Sequence, residues 1–182
     1  MQQLFMQAFW FWLPNLVGNQ CGGWARHLHL PGGTKPLWER GLGANKTLAP
    51  YYLAPLVGVA AVYLQRYFFP DICHRFGLFD YDNTFMCWFV GATDGVGAVV
   101  GDHVKSFLKR RLPNGGKGIA PGQPWWPWDY IDYTFGGIIF RYVFIGYWVG
   151  WSRTILIVIM GLIIHPIGNG LGYLIGQHKT WR

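Results

Sequence analysis

The chain has 182 residues, of which 52% are hydrophobic and 13% are charged, whereas about 25% are charged in a typical soluble domain. The net charge is +7, but no recognition-helix pattern or base-stacking module accompanies it, so nucleic-acid binding is not expected. Because several apolar runs approach the roughly 20 residues that span a bilayer, we predict an all-α integral membrane protein with a single domain over residues 1–182.

Five apolar segments predict five transmembrane helices. In chain order they cover about residues 4–19, 48–69, 84–111, 131–148 and 154–176. Ser152 and Arg153 are predicted to form a tight turn before the last one. The first segment carries Asn15 and Asn19, which are four residues apart and share a helix face. Such amides either join helices by hydrogen bonds or line a substrate pocket, and both alternatives are open here.

The polar segment after the first helix ends in Lys46 and Thr47. Asn45 stands where a Walker A motif has glycine, and no strand precedes it, so we do not predict a P-loop. A Lys-Thr pair at a helix start can still contact phosphate through its side chains and the free backbone N–H groups. We therefore predict that these two residues bind an anionic substrate.

The third predicted span contains Asp94, at a depth where a charge costs on the order of 2–3 kcal/mol or more. Such a residue is a functional candidate unless another side chain pairs with it, and the sequence offers Arg141 and His165 as partners. The same span has four glycines that allow close helix packing: Gly91, Gly95, Gly97 and Gly101.

Residues 101–132 combine carboxylates with clustered cations between two apolar runs. Asp102, Ser106 and Lys109 lie at i, i+4 and i+7, so they share one face of a helix. Asp129 and Asp132 follow where the next apolar run begins. This combination at a membrane edge suits Mg²⁺ and a polyphosphate, and the alternative is a basic loop that only orients the protein.

Lysine and arginine are more frequent after spans one and three and in the tail, with Lys179 and Arg182, than after spans two and four. The positive-inside rule then predicts an outside N-terminus and a cytoplasmic C-terminus in the cell membrane. The charged candidates would all lie on the cytoplasmic side: Lys46, Asp102, Lys109, Asp129 and Asp132. In the fifth span, His165, Asn169 and Tyr173 recur every four residues and form a polar stripe.

Several of these residues form motifs that occur together in one known family. The longest is Gly101-Asp102-x-x-x-Ser106-Phe107-x-Lys109-Arg110-Arg111. Shorter elements accompany it in chain order: Leu13-Pro14 with Asn19, Gly43-x-x-Lys46-Thr47, Pro121-Gly122, Asp129-x-x-Asp132, and His165 with Asn169 and Tyr173. In these features the chain resembles the CDP-archaeol synthases, which are membrane CTP:lipid-phosphate cytidylyltransferases related to the phosphatidate cytidylyltransferases.

The resemblance implies five transmembrane helices, Mg²⁺ as cofactor and CTP as nucleotide donor. It implies digeranylgeranylglyceryl phosphate, an unsaturated archaeal ether lipid, as acceptor, with a CDP-lipid for phospholipid biosynthesis and pyrophosphate as products. The chain departs from the family pattern at Asp94 and in residues 20–40, which lie near the expected lipid entrance. A diacyl acceptor, as in a phosphatidate cytidylyltransferase, is therefore the alternative.

Within this reaction each candidate residue has an expected role. Asp102, Asp129 and Asp132 are the predicted metal ligands. Lys46, Lys109 and Arg110 would neutralise phosphates, and Ser106 would donate a hydrogen bond to a phosphate oxygen. The other predicted substrate contacts are Thr47, Asn15, Asn19, His165, Asn169 and Tyr173. Arg111 points further round the helix and is predicted to be a topology charge or a surface anchor. The protein is expected to be a monomer or a homodimer.

Two rival classes fit the residues less well. A CDP-alcohol phosphotransferase needs Asp-Gly-x-x-Ala-Arg, but the run that starts at Asp94 has Val99 where the motif has arginine. A transporter or a small scaffold would suit charged groups inside the membrane, such as Asp94 and Arg141. However, the sequence shows no inverted repeat of the kind that many transporters contain.

Overall fold

The computed structural model describes residues 1–114, 116–120 and 123–174, with only the backbone described at Asn169 and Gly172. Regular structure in these residues is helical, apart from one isolated β-bridge between Pro36 and Thr47. The helices are α1 (Gln2–Asn19), α2 (Cys21–His27), α3 (Glu39–Leu42), α4 (Pro50–Phe68), α5 (Pro70–Phe76), α6 (Thr84–Lys109), α7 (Trp128–Ile145) and α8 (Trp151–Leu174). The predicted Pro121-Gly122 motif and the basic tail residues Lys179 and Arg182 lie outside the described residues.

The five longest of these helices, α1, α4, α6, α7 and α8, lie on the five apolar segments that the sequence predicts. By length and hydropathy, two segments of the described chain could cross a membrane, namely Thr84–Lys109 and Trp151–Gly168. The all-helical fold class is therefore confirmed. A crossing by all five helices remains a prediction.

The turn before α8 is displaced from its predicted position. Ser152 and Arg153 lie in the first turn of α8, so the predicted tight turn at these residues is wrong. The chain reverses at residues 146–150, where Gly146 and Gly150 have φ angles of 73° and 86°, which glycine adopts without a steric penalty. Arg153 instead reaches α1, where its guanidinium donates to Gln7 Oε1 at 2.8 Å.

Glycines on two sides of α6 allow α4 and α7 to pack closely against it. A Cβ atom added at Gly91 would lie 2.6 Å from the carbonyl oxygen of Gly58 in α4. A Cβ atom added at Gly97 would lie 2.7 Å from the carbonyl oxygen of Gly136 in α7, and Gly101 repeats this contact one turn later. Side chains larger than hydrogen do not fit at these distances, so the glycines set the spacing of the three helices.

The buried charge of Asp94 is paired with Arg141, one of the two partners that the sequence offers. Arg141 Nε donates to Asp94 Oδ1 at 2.9 Å, and both side chains are 2% exposed. The guanidinium also lies 3.6 Å from the centre of the Phe11 ring. The Asn15 amide donates to the carbonyl oxygens of Asp94 and Tyr133 at 3.2 and 3.1 Å. These contacts join α1, α6 and α7.

Candidate active site

The last two turns of α6 place three predicted residues at one cavity. Asp102, Ser106 and Lys109 all line it, as their helical spacing predicts. The helix ends at Lys109, and the side chain of the next residue, Arg110, also reaches the cavity. The motif that starts at Gly101 therefore forms one wall of this site.

The first turn of α7 brings two more carboxylates to the same cavity. Asp129 lies near the helix N-terminus, where the helix dipole favours a negative charge, and it accepts a hydrogen bond from the Trp125 backbone N–H. Asp132 follows three residues later and is buried. Because Gly101 packs directly on the backbone of Asp132, the close approach of α6 and α7 brings Asp102 near both carboxylates.

A lysine that the sequence analysis missed stands between these carboxylates. Lys105 Nζ lies 2.8 Å from Asp129 Oδ1, 3.0 Å from Asp132 Oδ2 and 3.3 Å from Asp102 Oδ1. The sequence holds a signal for it, because Lys105 follows Asp102 by three residues and i, i+3 positions share a helix face.

Two further lysines complete a group that we call the charged cluster. Lys46 forms an ion pair with Asp102, and Lys109 Nζ lies 2.8 Å from Asp129 Oδ2. The cluster consists of Lys46, Lys105, Lys109, Asp102, Asp129 and Asp132. Each of the three aspartates therefore has at least one lysine ammonium beside it.

Contacts within the loop between α2 and α4 position Lys46 and Thr47. The Leu37 backbone N–H donates to the Lys46 carbonyl oxygen at 2.7 Å, next to the β-bridge made by Thr47. Arg26 of α2 donates to Asn45 twice, at 2.9 Å to its side chain and at 2.8 Å to its carbonyl oxygen. The sequence analysis missed Arg26, since α2 lies in a segment without a clear apolar period.

The cavity over the charged cluster has a volume of about 400 Å³, which is within the roughly 300–1,000 Å³ of small-molecule sites. The predicted site residues that line it are Asn19, Lys46, Thr47, Asp102, Ser106, Lys109, Arg110, Asp129, Asp132 and His165. The structure thus brings together residues that are far apart along the chain. Arg26, His103 and Lys105 line the cavity as well and were not predicted.

Three buried polar atoms at this cavity have no partner among the described residues. They are Thr47 Oγ1, His103 Nε2 and Arg110 Nε. The other ring nitrogen of His103 lies 2.7 Å from the Val99 carbonyl oxygen; since a carbonyl only accepts, this nitrogen carries the hydrogen. Buried polar groups in proteins are nearly always paired, so this concentration of unpaired groups indicates a polar ligand.

Some predicted residues lie elsewhere. Asn15 does not line the cavity, because its amide is engaged between helices, so the structure favours the packing alternative for it. Tyr173 is 45% exposed and is not part of the cavity wall, and the Asn169 side chain lies outside the described part of the chain. Arg111 does not line the cavity, and its guanidinium lies 3.6 Å from the centre of the Phe107 ring.

The electrostatics of Asp129 follow from its neighbours. This carboxyl group precedes the apolar segment 131–148. Burial raises its pKa, but the charge of Lys105 and the hydrogen bonds from Lys105, Lys109 and Trp125 lower it by more. The pKa of Asp129 is therefore held below its ordinary value, and the group stays ionised at neutral pH.

The chemistry of the three carboxylates fits a divalent cation. Carboxylate oxygens are ligands that Mg²⁺ prefers, and Asp102, Asp129 and Asp132 all line the one cavity. In residues 1–114, 116–120 and 123–174, however, no three His, Cys, Asp or Glu side chains form a ready-made metal group. The predicted ligands do converge, but on the ammonium group of Lys105.

Known proteins give an independent assignment. The chain matches the CDP-archaeol synthase family over residues 1–182. It is 28% identical to the CDP-archaeol synthase of Picrophilus torridus over 177 residues, which cover 93% of this chain and 92% of that protein. It is 29% identical to the CDP-archaeol synthase of Methanococcoides burtonii over 151 residues, which cover 78% of this chain and 82% of that protein.

Other relatives match over a shorter stretch. The CDP-archaeol synthase of Methanocaldococcus jannaschii is 34% identical over 86 residues, which cover 47% of this chain and 45% of that protein. The match to the CDP-archaeol synthase of Methanospirillum hungatei covers 51% of that protein. The chain therefore spans about half the length of these two relatives. No solved structure matches the chain significantly. Because the family match extends over the whole sequence, the chain belongs to the CDP-archaeol synthase family.

Proposed function

We propose that this protein transfers the cytidylyl group of CTP to a lipid phosphate, giving a CDP-lipid and pyrophosphate. The observation that carries the proposal is the charged cluster beneath a cavity at the end of α6, in a member of this family. Its lysines suit phosphate oxygens, and its aspartates suit a divalent cation. Both kinds of group face one cavity, as a metal–nucleotide substrate requires.

The reaction needs alignment and charge neutralisation more than proton transfer. A phosphomonoester has a second pKa of roughly 6, so the lipid phosphate oxygen is a nucleophile at neutral pH without a general base. This oxygen forms a bond to the α-phosphorus of CTP, while the bond from that phosphorus to the β-bridging oxygen breaks. Pyrophosphate leaves with the bridging oxygen, in line with the attack.

The cavity residues divide between the phosphate groups and the cation. Lys46, Lys109 and Arg110 would neutralise phosphates, and the Ser106 hydroxyl would donate to a phosphate oxygen. Thr47 Oγ1 has no partner in the described chain and would donate in the same way. The wall residues Asn19 and His165 are the other candidate substrate contacts.

The carboxylates Asp102, Asp129 and Asp132 would hold Mg²⁺. When bound, the ion supplies positive charge at phosphate oxygens and holds them in one orientation. The role of this chain's own structure is to hold the three carboxylates close together before the ion arrives. The close packing of α6 on α7 and the lysines of the charged cluster support that role.

The proposed location of this protein is the cell membrane, which the chain would cross several times. Its cavity would open on the cytoplasmic side, where CTP is present. Large apolar side chains on the outer faces of the long helices support this, for example Leu56, Val143 and Ile163 at 65%, 65% and 58% exposure. Lipid tails would cover such side chains. The basic residues around the cavity support the cytoplasmic assignment through the positive-inside rule.

The proposed acceptor is digeranylgeranylglyceryl phosphate, because the relatives are named CDP-archaeol synthases. An acceptor panel tests this choice. Purified protein with CTP and Mg²⁺ is expected to release pyrophosphate with the unsaturated ether lipid, and Asp102→Asn serves as the inactive control. A higher rate with diacyl phosphatidic acid would reject the ether lipid and favour a phosphatidate cytidylyltransferase.

A further inference from the structure

Lys105 occupies the point toward which the three carboxylates of the charged cluster converge. Its ammonium contacts all three at 2.8 to 3.3 Å, and its side chain is 13% exposed. A lysine ammonium has three hydrogens to donate. Lys105 has no ion-pair partner among the described residues other than these three aspartates. The cation therefore stands where a divalent ion would have to bind to reach the same oxygens.

The ammonium of Lys105 and the backbone divide the two oxygens of Asp132 between them. Asp132 Oδ1 accepts a hydrogen bond from the Tyr133 backbone N–H at 2.8 Å. Asp132 Oδ2 pairs with Lys105 Nζ at 3.0 Å, and the side chain is 5% exposed. A carboxylate oxygen buried this deeply needs a donor or a cation beside it, so Lys105 can leave it only if another cation takes its place.

We propose that Lys105 is an exchangeable counter-ion, which holds Asp102, Asp129 and Asp132 together in the metal-free protein and leaves when a divalent cation binds them. The inference rests on the proposed function, since it takes metal and nucleotide as ligands of this cavity. Carboxylates contact Mg²⁺ at about 2.0–2.1 Å, so an ammonium cannot stay at the same point. The like charges of the two cations also repel each other.

The displaced ammonium of Lys105 finds a new ion-pair partner only when a polyphosphate is bound in the cavity. Lys105 lines the same cavity as Lys46 and Lys109, so without an anion its charge would move toward other cations. A triphosphate in the cavity gives it a new partner, and its four-carbon stem is flexible enough to turn. Metal and nucleotide therefore bind cooperatively, each strengthening the other through Lys105.

Binding of Mn²⁺ in the absence of nucleotide tests the exchange. The test compares the metal-free protein with Lys105→Met, following free Mn²⁺ by electron paramagnetic resonance. We expect Lys105→Met to bind Mn²⁺ about tenfold or more tightly than the unmodified protein, because no ammonium has to be displaced. Mn²⁺ affinity equal to or below that of the unmodified protein would overturn the proposal.

Two matched variants control for charge. Lys117→Met removes an exposed lysine from the loop after α6 and should leave the Mn²⁺ affinity unchanged. Lys109→Met removes a cation from Asp129 but leaves the ammonium of Lys105 between the carboxylates, so its gain should be smaller. A gain with Lys109→Met as large as with Lys105→Met would overturn the specific role of Lys105.

Thermal unfolding supplies a second measurement. Without metal, Lys105→Met should unfold at a lower temperature than the unmodified protein, since three carboxylates lose their shared cation. Mg²⁺ should restore it, whereas a lysine needed only for packing would not be replaced by an ion. Failure of both Lys105→Met and Lys105→Gln to fold with Mg²⁺ present throughout purification would reject the proposal.

Neither measurement requires turnover. If the metal results are as expected but no lipid is cytidylylated under any condition, the proposed function fails and the counter-ion role of Lys105 stands. If cytidylyl transfer is observed but the metal results are not as expected, the proposed function stands and the counter-ion role of Lys105 fails.

Discussion

Lys109, Arg110 and Arg111 are consecutive basic residues, yet the structure gives them different surroundings. Lys109 contacts Asp129, and Arg111 packs on Phe107. Arg110 reaches the cavity, and its Nε has no partner in the described part of the chain. Their positions on the helix, more than their charge, therefore decide their effect on the reaction.

We predict that neutralising Lys109 or Arg110 lowers the rate by about two or more orders of magnitude, which corresponds to roughly 3 kcal/mol of transition-state stabilisation. Arg111→Ala should be milder, because its guanidinium donates to the Gly41 carbonyl oxygen at 3.2 Å and faces away from the cavity. Initial rates of lipid-dependent pyrophosphate release rank the variants by the severity of their effect. If Arg111→Ala were the slowest of the three variants, the helix face would be assigned wrongly.

Helical spacing was sufficient to predict that Asp102, Ser106 and Lys109 share a face, because that depends only on the number of residues per helical turn. The same spacing contains Lys105, but its importance comes from carboxylates on a different helix. A single sequence does not give the distance between α6 and α7. The roles of Asn15, as a packing amide, and of His103 likewise depend on neighbours that are remote along the chain.

At the scale of helices, glycine contacts connect the fold with the site. Gly101→Ala would place a methyl group 3.0 Å from the Gly136 Cα and against the Asp132 carbonyl. We expect a loss of about 1–3 kcal/mol in stability and a lower rate, since α6 and α7 must separate. Gly170→Ala in α8 is the control, because no atom of the described residues lies within 4 Å of the added Cβ.

Thermal unfolding and the initial rate are measured on both glycine variants. Equal behaviour of Gly101→Ala and Gly170→Ala would show that helix spacing does not limit the site.

The Asp94–Arg141 pair provides a separate test of the helix bundle. Removing one partner by Asp94→Asn or Arg141→Met should cost about 3–5 kcal/mol, because a buried charge loses its partner. The double variant Asp94→Leu, Arg141→Met should recover most of that loss, since an apolar pair replaces an ion pair. The unfolding temperature of each purified variant measures the effect. A double variant as unstable as the sum of the two single ones would refute the pairing.

The long apolar runs were sufficient to predict the positions of the five long helices. The short helices α2, α3 and α5 were not predicted, because seven or fewer residues carry too little periodic signal. The turn before α8 was misplaced because Gly146 and Gly150, which set its geometry, lie among aromatic residues that resemble the end of a span.

For the whole molecule, the orientation in the membrane remains to be tested. Cysteine introduced at Asp82 should react with a membrane-impermeant maleimide in intact cells, whereas cysteine at Leu112 should react only after permeabilisation. Both positions are exposed. The native thiols Cys21, Cys73 and Cys87 are buried, and burial raises the pKa of Cys21 to about 12, so they react slowly. The opposite pattern would move the cavity to the outer face, away from CTP.

The family resemblance and the family match agree on what kind of protein this is, but neither describes the interior of the cavity. The charged cluster arises from three separate parts of the chain: the loop that holds Lys46, the end of α6 and the start of α7. The pairing of its three lysines with its three aspartates was not predictable from the order of the motifs.

Transfer of labelled phosphorus tests the central claim most directly. Protein in lipid bilayers is supplied with Mg²⁺, digeranylgeranylglyceryl phosphate and CTP labelled at either the α- or the γ-phosphorus. The account predicts that the α-label enters the lipid product and the γ-label appears in pyrophosphate, and that Asp132→Asn abolishes both. Entry of the γ-label into lipid would indicate phosphoryl transfer, and no CTP-dependent labelling of lipid under any condition would contradict cytidylyl transfer altogether.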